Sequence, residues 1–215
     1  MLQNNKKNFH IGCGYTIGKN WFNYDNSPIA LLDRIPILKN INKLNTRKFP
    51  KDIKYGNIVK NLLCKESTAD NIYCSHVLEH VSLSSGKKML RNIYKMLKIG
   101  GTLRIIVPSL EARIEKYIQN KDANSFIKSL NFVNEDKNEN FIKKLRFLFG
   151  GASHKWMFDK SSLLNELIDS GFENSKIREC KYGDSDIDVF SEVEEEGRFI
   201  ESNGELKAVA FNCTK

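Results

Sequence analysis

Two glycines and an aspartate near the N-terminus have the types and spacing of a ligand-binding turn. The apolar residues 9–11 run into Gly12-Cys13-Gly14, and Asp25 closes the next strand-like segment, residues 21–25. A buried strand that breaks into glycines makes a tight turn, and a ligand can approach its backbone because glycine has no Cβ. An acid at the end of the next strand can accept hydrogen bonds from ribose hydroxyls. The pattern predicts a site for a nucleoside-bearing cofactor.

The spacing of the same residues disfavours a dinucleotide. A dinucleotide fingerprint needs G-x-G-x-x-G at the start of a helix, with its acid about 20 residues further on. Here the third glycine, Gly18, comes one position late, and residues 15–20 leave little room for a crossover helix. Such a helix would hold the pyrophosphate at its N-terminus. A cofactor without phosphates therefore fits better, and NAD is the weaker alternative.

Two histidines are candidates for acid–base chemistry. His76 follows a strand-like segment, residues 70–75, and His154 lies in a predicted glycine-flanked loop. Histidine titrates near neutral pH and can accept a proton from a hydroxyl or an amine, so both are candidate catalytic residues. The alternative for His76 is a structural role together with Glu79 and His80. The alternative for His154 is an ordinary surface position.

Residues 76–80 also match the H-x-x-E-H pattern of one class of zinc site. That pattern requires both histidines inside a helix and a third protein ligand from elsewhere in the chain. Here the first histidine follows a strand, and no third ligand stands out in the sequence. We therefore expect no metal.

Length, charge and cysteine content narrow the class of protein. A chain of 215 residues suits one well-buried domain, and it contains no apolar run long enough for a membrane span and no N-terminal secretory signal. The net charge of +8 comes from scattered lysines and is offset near the end by the acidic residues 192–196, so we expect no nucleic-acid partner. The cysteines contain no C-x-x-C pair, which predicts a reducing cytoplasmic location; they are Cys13, Cys64, Cys74, Cys180 and Cys213.

Strand-like and helix-like segments alternate along the chain, which predicts an α/β sheet covered by helices. The predicted strands are residues 9–11, 21–25, 52–57, 70–75, 102–108, 176–182 and 206–212, with the last two paired as an antiparallel edge. The predicted helices are residues 29–44 after Ser27-Pro28, a helix that Ser84 or Ser85 opens and Gly100-Gly101 ends, two or three helices within 110–149, and one from Asp159 through Ser170.

These motifs occur in an order that resembles the class I S-adenosylmethionine-dependent methyltransferases, in the branch called the type 11 methyltransferase domain. The most specific parts are Ser75-His76-Val77-Leu78-Glu79-His80 and the later Lys98-Ile99-Gly100-Gly101. The similarity covers residues 9–110 and continues more loosely through 151–158 and 171–172. A missing helix between the first two strands also occurs in a short-form branch of this family, whose members are often linked to surface-polysaccharide synthesis.

The resemblance implies a single Rossmann-like domain over residues 1–215, with a mainly parallel central sheet, an antiparallel edge strand and helices on both faces. Residues 8–110 would form the cofactor-binding half and residues 110–215 the substrate side. The implied S-adenosylmethionine-binding positions are Ile11, Gly12, Cys13 and Gly14 under the amino-acid part, Asp25 and Asn26 at the ribose, Asn57 and Ile58 at the adenine, and Ser75 and His76 beside the methyl donor.

The leading functional hypothesis is methyl transfer from S-adenosylmethionine to an oxygen or nitrogen atom of a small molecule or sugar precursor. A second hypothesis is a catalytically silent module on the same fold, because a fold does not determine an activity. A third, a nucleic-acid methyltransferase, lacks both an appended binding domain and an Asn-Pro-Pro-Tyr-type motif. The sequence does not identify the acceptor or the oligomeric state.

Overall fold

Short, largely buried segments build the centre of the sheet. The computed structural model describes residues 6–27, 50–132, 153–201 and 207–215. Within these ranges the strands are β1 (Asn8–Ile11), β2 (Trp21–Asp25), β3 (Lys54–Tyr55), β4 (Ala69–Ser75), β5 (Leu97–Pro108), β6 (Ile177–Glu179) and β7 (Ala208–Thr214). They form one sheet in the order β3-β2-β1-β4-β5-β7-β6.

The sheet is parallel from β3 to β5, and β7 pairs antiparallel with both β5 and β6. This confirms the predicted mainly parallel sheet with an antiparallel edge pair. In the centre, Ile11 of β1 pairs with Tyr24 of β2 on one side and with Cys74 of β4 on the other. The carboxyl ends of these three strands therefore meet at one edge of the sheet, which is where ligands bind in open α/β folds.

Four α-helices lie in the described ranges, and each begins at a side-chain cap. They are α1 (Leu83–Met96), α2 (Leu110–Asn120), α3 (Ala123–Leu130) and α4 (Lys160–Asp169). The N-caps Ser82, Ser109, Asp122 and Asp159 each accept a hydrogen bond from the backbone N–H three residues later. These bonds satisfy amide groups that have no partner inside the helix.

The boundaries of α1 differ from the prediction at both ends. Ser82, rather than Ser84 or Ser85, is the N-cap, because its hydroxyl is placed to accept from the Ser85 amide. The helix also ends before Gly100-Gly101: Leu97 is fully buried and already pairs with Ala69 as the first residue of β5. The pairing of Leu97 with β4 therefore ends the helix, and Gly100, at φ +76°, lies within the strand.

Several predicted segments fall outside the described residues. These are the helix at 29–44 with its start at Pro28, the second part of the helical region at 133–149, and the glycines of the loop at 150–152. The helix predicted from Asp159 through Ser170 is confirmed, with Asp159 as its N-cap and Ser170 as its C-cap. Within the described ranges, no helix combines the length and the apolar character that crossing a bilayer requires.

The two faces of the sheet are covered differently. On the first face, α1 and α4 pack their buried side chains on β1, β4, β5 and β7; the helix residues are Met89, Leu90, Ile93, Met96, Leu163 and Leu167. The second face is covered by two 3₁₀ segments, Ser185–Glu192 and Glu196–Arg198. A second cluster of buried hydrophobic residues lies here and includes Tyr73, Ile106, Phe190, Val193 and Phe199. Helical segments therefore cover both faces.

A buried arginine binds residues 184–194, which cover the second face, to the sheet. Arg104 of β5 is fully buried, and its Nη1 donates to Oε1 of Glu194 at 2.5 Å. Its Nε donates to Oδ1 of Asn212 and its Nη2 to the Asp184 carbonyl. The guanidinium also lies 4.5 Å from the ring centroid of Phe190. Because a buried charge must be paired and hydrogen-bonded, this network ties residues 184–194 to β5 and β7.

His10 is buried on the same face, and its environment opposes protonation. Its ring makes edge contacts with Trp21 and Tyr73, with centroids 6.4 and 5.1 Å away. Burial, assisted by the nearby Arg198 charge, lowers the pKa of His10 from 6.5 to about 3. Above pH 6.5 the residue is neutral in both the folded and the unfolded state. Between pH 6.5 and 3 only the unfolded chain takes up a proton, so acid favours unfolding.

We expect the free energy of unfolding to fall more steeply with decreasing pH because of His10. It should lower the free energy of unfolding by up to about 1.4 kcal/mol for each pH unit below 6.5. In urea titrations at pH 7.5, 6.5 and 5.5, His10→Asn should therefore lose less stability on acidification than the wild type. Tyr73→Phe is the matched control, since it alters the same cluster without changing a group that titrates in this range. Equal pH slopes for wild type and His10→Asn would contradict the prediction.

Candidate functional site

The turn after β1 has a left-handed backbone at both glycines. Gly12 has φ +68° and Gly14 has φ +55°. The Gly12 amide donates to the Tyr24 carbonyl at 2.8 Å, which holds the start of the turn against β2. A Cβ on Gly12 would lie 2.2 Å from Cγ2 of Val77, whereas a Cβ on Gly14 would meet none of the described atoms within 4 Å. Gly12 is therefore required by packing, and the backbone at Gly14 is open to a ligand.

Asp25 fixes the far side of this turn. Its Oδ2 accepts a hydrogen bond from the Gly14 amide at 2.8 Å, and its Oδ1 accepts one from the Ser27 amide at 2.6 Å. The side chain is mostly buried, while its neighbour Asn26 is exposed. Each carboxylate oxygen has a further lone pair, so Asp25 can hold the turn and still accept from a ribose hydroxyl.

Cys13, between the two glycines, is a buried thiol rather than a nucleophile. Burial, with a contribution from the Asp25 charge, raises the pKa of Cys13 to about 12. Its amide joins that of Gly12 in donating to the Tyr24 carbonyl, at 3.1 Å. Cys13 thus contributes its backbone and a small apolar volume to the turn. Ile11, the last residue of β1, is buried in the first core.

Asn57 and Ile58 follow β3 at the same edge of the sheet. Oδ1 of Asn57 accepts hydrogen bonds from the amides of Val59 and Lys60, at 3.0 and 3.3 Å, which closes a short turn. The Ile58 side chain is buried in the first core, and its carbonyl accepts from Nδ2 of Asn92. An adenine contact by these residues would therefore use the Asn57 side chain and the backbone rather than the Ile58 side chain.

His76 lies at the end of β4 directly after the buried Ser75, and its neighbours occupy both of its ring nitrogens. Its backbone is left-handed, with φ +54°, which is uncommon for a residue with a side chain. Nδ1 lies 3.1 Å from Oε1 of Glu79, and Nε2 lies 2.9 Å from the carbonyl oxygen of Arg198. Both partners are acceptors, and each ring nitrogen lies within hydrogen-bond distance of one of them. Both ring nitrogens of His76 therefore face protein groups.

His154 lies close to Glu79 and His80, and backbone hydrogen bonds hold it there. Its amide donates to the Asn131 carbonyl at 2.9 Å, and the following Lys155 amide donates to the Glu79 carbonyl at 2.7 Å. The rings of His80 and His154 meet edge to face, with centroids 5.2 Å apart. Burial lowers the pKa of His154, and the Glu79 charge opposes that shift. The neutral form with a free lone pair therefore predominates at pH 7.

The segment 192–198 lies across the glycine turn. Oγ1 of Thr16 donates to Oε1 of Glu195 at 2.6 Å, and Nδ2 of Asn20 donates to Oε1 of Glu192 at 2.9 Å. Between this segment and the turn there remains a cavity of about 10 Å³, no more than a single water. The sequence marked 192–196 only as an acidic stretch, since its contacts with the turn join residues far apart in the chain.

A larger groove lies between α2 and α3, on the predicted substrate side. Its volume is about 690 Å³, within the range of small-molecule sites. Its wall includes the rings of Tyr117 and Phe126, whose centroids are 5.2 Å apart, and the cations Arg113 and Lys207. The Arg113 guanidinium donates to the carbonyls of residues 109, 129 and 207, so backbone contacts hold it in place. No sequence motif marked this groove.

We expect the two glycines of the turn to differ in what they tolerate. Gly14→Ala should cost about 1–2 kcal/mol for a left-handed backbone, whereas Gly12→Ala should cost more because its methyl group also meets Val77. Urea unfolding of the two variants measures this difference. Adding Val77→Ala to Gly12→Ala should recover the steric part and leave the backbone part. If Gly14→Ala were the more destabilising variant, this account of the turn would be wrong.

Comparisons with known proteins agree with this geometry. A family model described as a methyltransferase domain matches residues 5–177. No curated protein sequence matches the chain. The structure resembles an S-adenosylmethionine-dependent methyltransferase from Methanosarcina mazei, with a TM-score of 0.54 at 15% identity over 100% of this chain and 94% of that one. A second, from Archaeoglobus fulgidus, has a TM-score of 0.49 at 14% identity over 98% and 86%.

The structural likeness shows the fold, and the family match shows the family. The predicted class I methyltransferase architecture is confirmed, and S-adenosylmethionine is the cofactor that this family uses. The match extends from before β1 to the start of β6, so it includes the glycine turn, Asp25 and the end of β4. The chain belongs to the methyltransferase domain family.

Proposed function

We propose that this protein transfers a methyl group from S-adenosylmethionine to an oxygen or nitrogen atom of a small molecule or sugar precursor. The observation that carries the proposal is the meeting of three strand ends: the parallel registers of β1 with β2 and β4 bring the glycine turn, Asp25 and residues 75–76 to one edge. In this proposal residues 8–110 bind the cofactor and residues 110–215 provide the acceptor side.

The residues at this edge fit S-adenosylmethionine. The open backbone at Gly14 leaves space for the amino-acid part, and Asp25 retains acceptor capacity for ribose hydroxyls. We assign Asn26, after β2, to the ribose and Asn57, after β3, to the adenine. Ile11, Cys13 and Ile58 would support the bound cofactor through packing and backbone contacts. Gly12, Ser75 and His76 complete the proposed contacts. The turn 15–20 contains no phosphate-binding helix, which agrees with a cofactor that has no phosphate.

The bound cofactor supplies an activated methyl group on a sulfonium, so the protein's main task is alignment. Holding the acceptor atom in line with the methyl group supplies much of the rate, because it removes the entropic cost of the encounter. A hydroxyl or amine acceptor must also lose a proton. We propose His154 as the stronger candidate to accept it, because its buried Nδ1 has no partner among the described residues. His76 is the weaker candidate, since both of its nitrogens are engaged.

The groove between α2 and α3 supports a small acceptor. Its volume suits a small molecule, and two adjacent aromatic rings offer apolar faces to a sugar ring. Two nearby carbonyl groups connect the groove to the loop that carries His154. Arg113 of the groove donates to the Ser129 carbonyl, and the His154 amide donates to the Asn131 carbonyl. We propose that the acceptor lies in this groove with its reactive atom directed toward His154.

The alternative is a silent module that binds the cofactor or a partner without catalysis. Two observations favour it: His76 is locked between Glu79 and the Arg198 carbonyl, and residues 192–198 cover one side of the glycine turn. A protein of this kind would bind S-adenosylhomocysteine and methylate no acceptor. The cysteines, all free thiols, support a reducing cytoplasmic location for either form.

We expect Asp25→Ala to weaken binding of S-adenosylhomocysteine by roughly 10- to 150-fold, which corresponds to about 1.5–3 kcal/mol for a lost charge-assisted hydrogen bond. The variant should also be less stable, because the amides of Gly14 and Ser27 lose their acceptor. Calorimetry with S-adenosylhomocysteine measures the affinity, with NAD as the ligand expected not to bind.

Asp25→Asn and Asp52→Ala are the matched controls. Asp25→Asn keeps one carbonyl oxygen and should fall between wild type and Asp25→Ala. Asp52→Ala removes an exposed carboxylate from just before β3 and should bind as the wild type does. Wild-type affinity in Asp25→Ala would show that Asp25 is not the ribose ligand. Tighter binding of NAD than of S-adenosylhomocysteine would overturn the cofactor assignment for this site.

We expect His154→Ala to lower turnover by about 10²- to 10⁴-fold while the affinity for S-adenosylhomocysteine stays within a few-fold of wild type. The assay requires an acceptor found by screening with labelled S-adenosylmethionine. Because burial lowers the pKa of His154, the acid limb of the wild-type rate profile should lie below pH 6.5. Lys155→Ala, which changes the exposed neighbouring side chain, should retain turnover. Full activity of His154→Ala would show that His154 is not the base, and alignment of the acceptor atom with the methyl group would remain as the source of the rate.

A further inference from the structure

Three potential metal ligands converge beside β4. Glu79 and His80 belong to the 3₁₀ turn Leu78–His80 after β4, and His154 comes from the loop before α4. One ligand atom from each side chain lies within 4.8 Å of the other two. Glu79 is fully buried, and both histidines are partly buried. Two imidazoles and a carboxylate are the protein ligands of a common open zinc site.

Glu79 has one carboxylate oxygen that the protein leaves without a partner. Its Oε1 accepts from Nδ1 of His76 at 3.1 Å, whereas Oε2 is buried and makes no hydrogen bond within the described part of the chain. A buried carboxylate oxygen without a donor is costly, because it has lost its water. A cation at this oxygen would remove that cost. His76, through its contact with Oε1, then holds the carboxylate in position to bind the ion.

His80 is oriented in the way that metal-binding histidines are. Its Nδ1 lies 3.4 Å from the Ser153 carbonyl, an acceptor, which favours the tautomer with the proton on Nδ1. The lone pair is then on Nε2, which points toward Glu79 and lies 3.9 Å from its Oε1. A backbone carbonyl on one ring nitrogen and a free lone pair on the other is the usual arrangement of a ligating histidine.

His154 supplies the third ligand from a position fixed by the main chain. The amides of Lys155 and Trp156 both donate to the Glu79 carbonyl, so the loop is attached to the residue whose side chain it joins. Nδ1 of His154 is buried without a hydrogen-bond partner within the described part of the chain.

We propose that Glu79, His80 and His154 bind a divalent first-row transition metal ion, with Zn²⁺ as the best match to this ligand set. Zinc bonds of about 2.0–2.1 Å place tetrahedral ligands roughly 3.3 Å apart, so the side chains must move inward by about 1 Å. The expectation of no metal rested on a first histidine that follows a strand and on the lack of a third ligand; in this proposal His154, in the loop before α4, is that ligand. His76 is not a ligand, so the site differs from the H-x-x-E-H helix pattern.

A bound ion would occupy the lone pair of His154, so the proposed base role applies to the ion-free protein. The two proposals are tested separately. Ion binding requires neither S-adenosylmethionine nor an acceptor, so its failure would leave the methyl-transfer proposal unchanged. Conversely, absence of methylation would not affect a measured ion site. The rate of methylation by chelator-treated protein tests the base role alone, because the ion has then been removed.

The test uses the full chain, stripped with EDTA and titrated with Zn²⁺ against a chromophoric chelator at pH 7.5. We expect one ion per chain, and Co²⁺ should give the visible spectrum of a low-coordinate nitrogen and oxygen site. His154→Ala and His80→Ala should each weaken Zn²⁺ binding by at least about 100-fold, and His76→Asn by about 10- to 100-fold. Circular dichroism confirms that each variant is folded.

Two control variants separate this site from adventitious binding. Lys155→Ala leaves the three ligands in place, and Cys64→Ser removes the least buried of the free thiols, so both should bind Zn²⁺ as the wild type does. Absence of stoichiometric binding by the wild type would overturn the proposal. Equal affinity of wild type and folded His154→Ala would also overturn it, as would loss of binding in Cys64→Ser alone.

Discussion

The central position of β1 between two parallel neighbours is the constraint on which the site depends. Because β1 pairs with β2 and β4 in the same direction, its last residue, Ile11, is level with Tyr24 and Cys74. The turn that follows must therefore fit between the ends of both neighbours. It does so by placing Gly12 against Val77 and by donating its amides to Tyr24 and Asp25. A change in register would separate all of these groups.

The contact between the end of β4 and the loop before α4 depends on a different residue, the buried Glu79. Its side chain contacts His76 and approaches His80, while its carbonyl accepts two amides from the loop that carries His154. One residue thus links the end of β4 to a loop far along the chain. The two histidines differ in their contacts: Glu79 lies within hydrogen-bond distance of Nδ1 of His76, whereas Nδ1 of His154 has no hydrogen-bond partner among the described residues.

The short connection between β1 and β2 has a consequence for the second face of the sheet. Residues 15–20 form no helix, and 3₁₀ segments from residues 185–198 cover this face. The cover is held by Arg104, whose guanidinium bonds to Glu194 and Asn212, and by Glu195, which binds Thr16 at the glycine turn. The acidic stretch that the sequence marked only by its charge is therefore a structural neighbour of the glycine turn.

The sequence by itself determined the features that depend on local spacing. Short apolar runs predicted the strands, and the alternation of strand-like with helix-like segments predicted the α/β class. Gly12-Cys13-Gly14 predicted the turn, and the short interval to Asp25 favoured a cofactor without phosphates. The boundaries of α1 were missed, because the hydroxyl of Ser82 and the pairing of Leu97 with Ala69 decide them rather than glycine content.

Only the tertiary structure decided the contacts between residues far apart in the chain. Glu79 and His154, like Thr16 and Glu195, carry no periodic or spacing signal, since their approach follows from how the loop before α4 and the 3₁₀ segments pack on the sheet. The role of each polar group depends on which of its atoms already has a partner. That distribution of hydrogen bonds is a property of the packed chain, and so the sequence could name the histidines but not assign their roles.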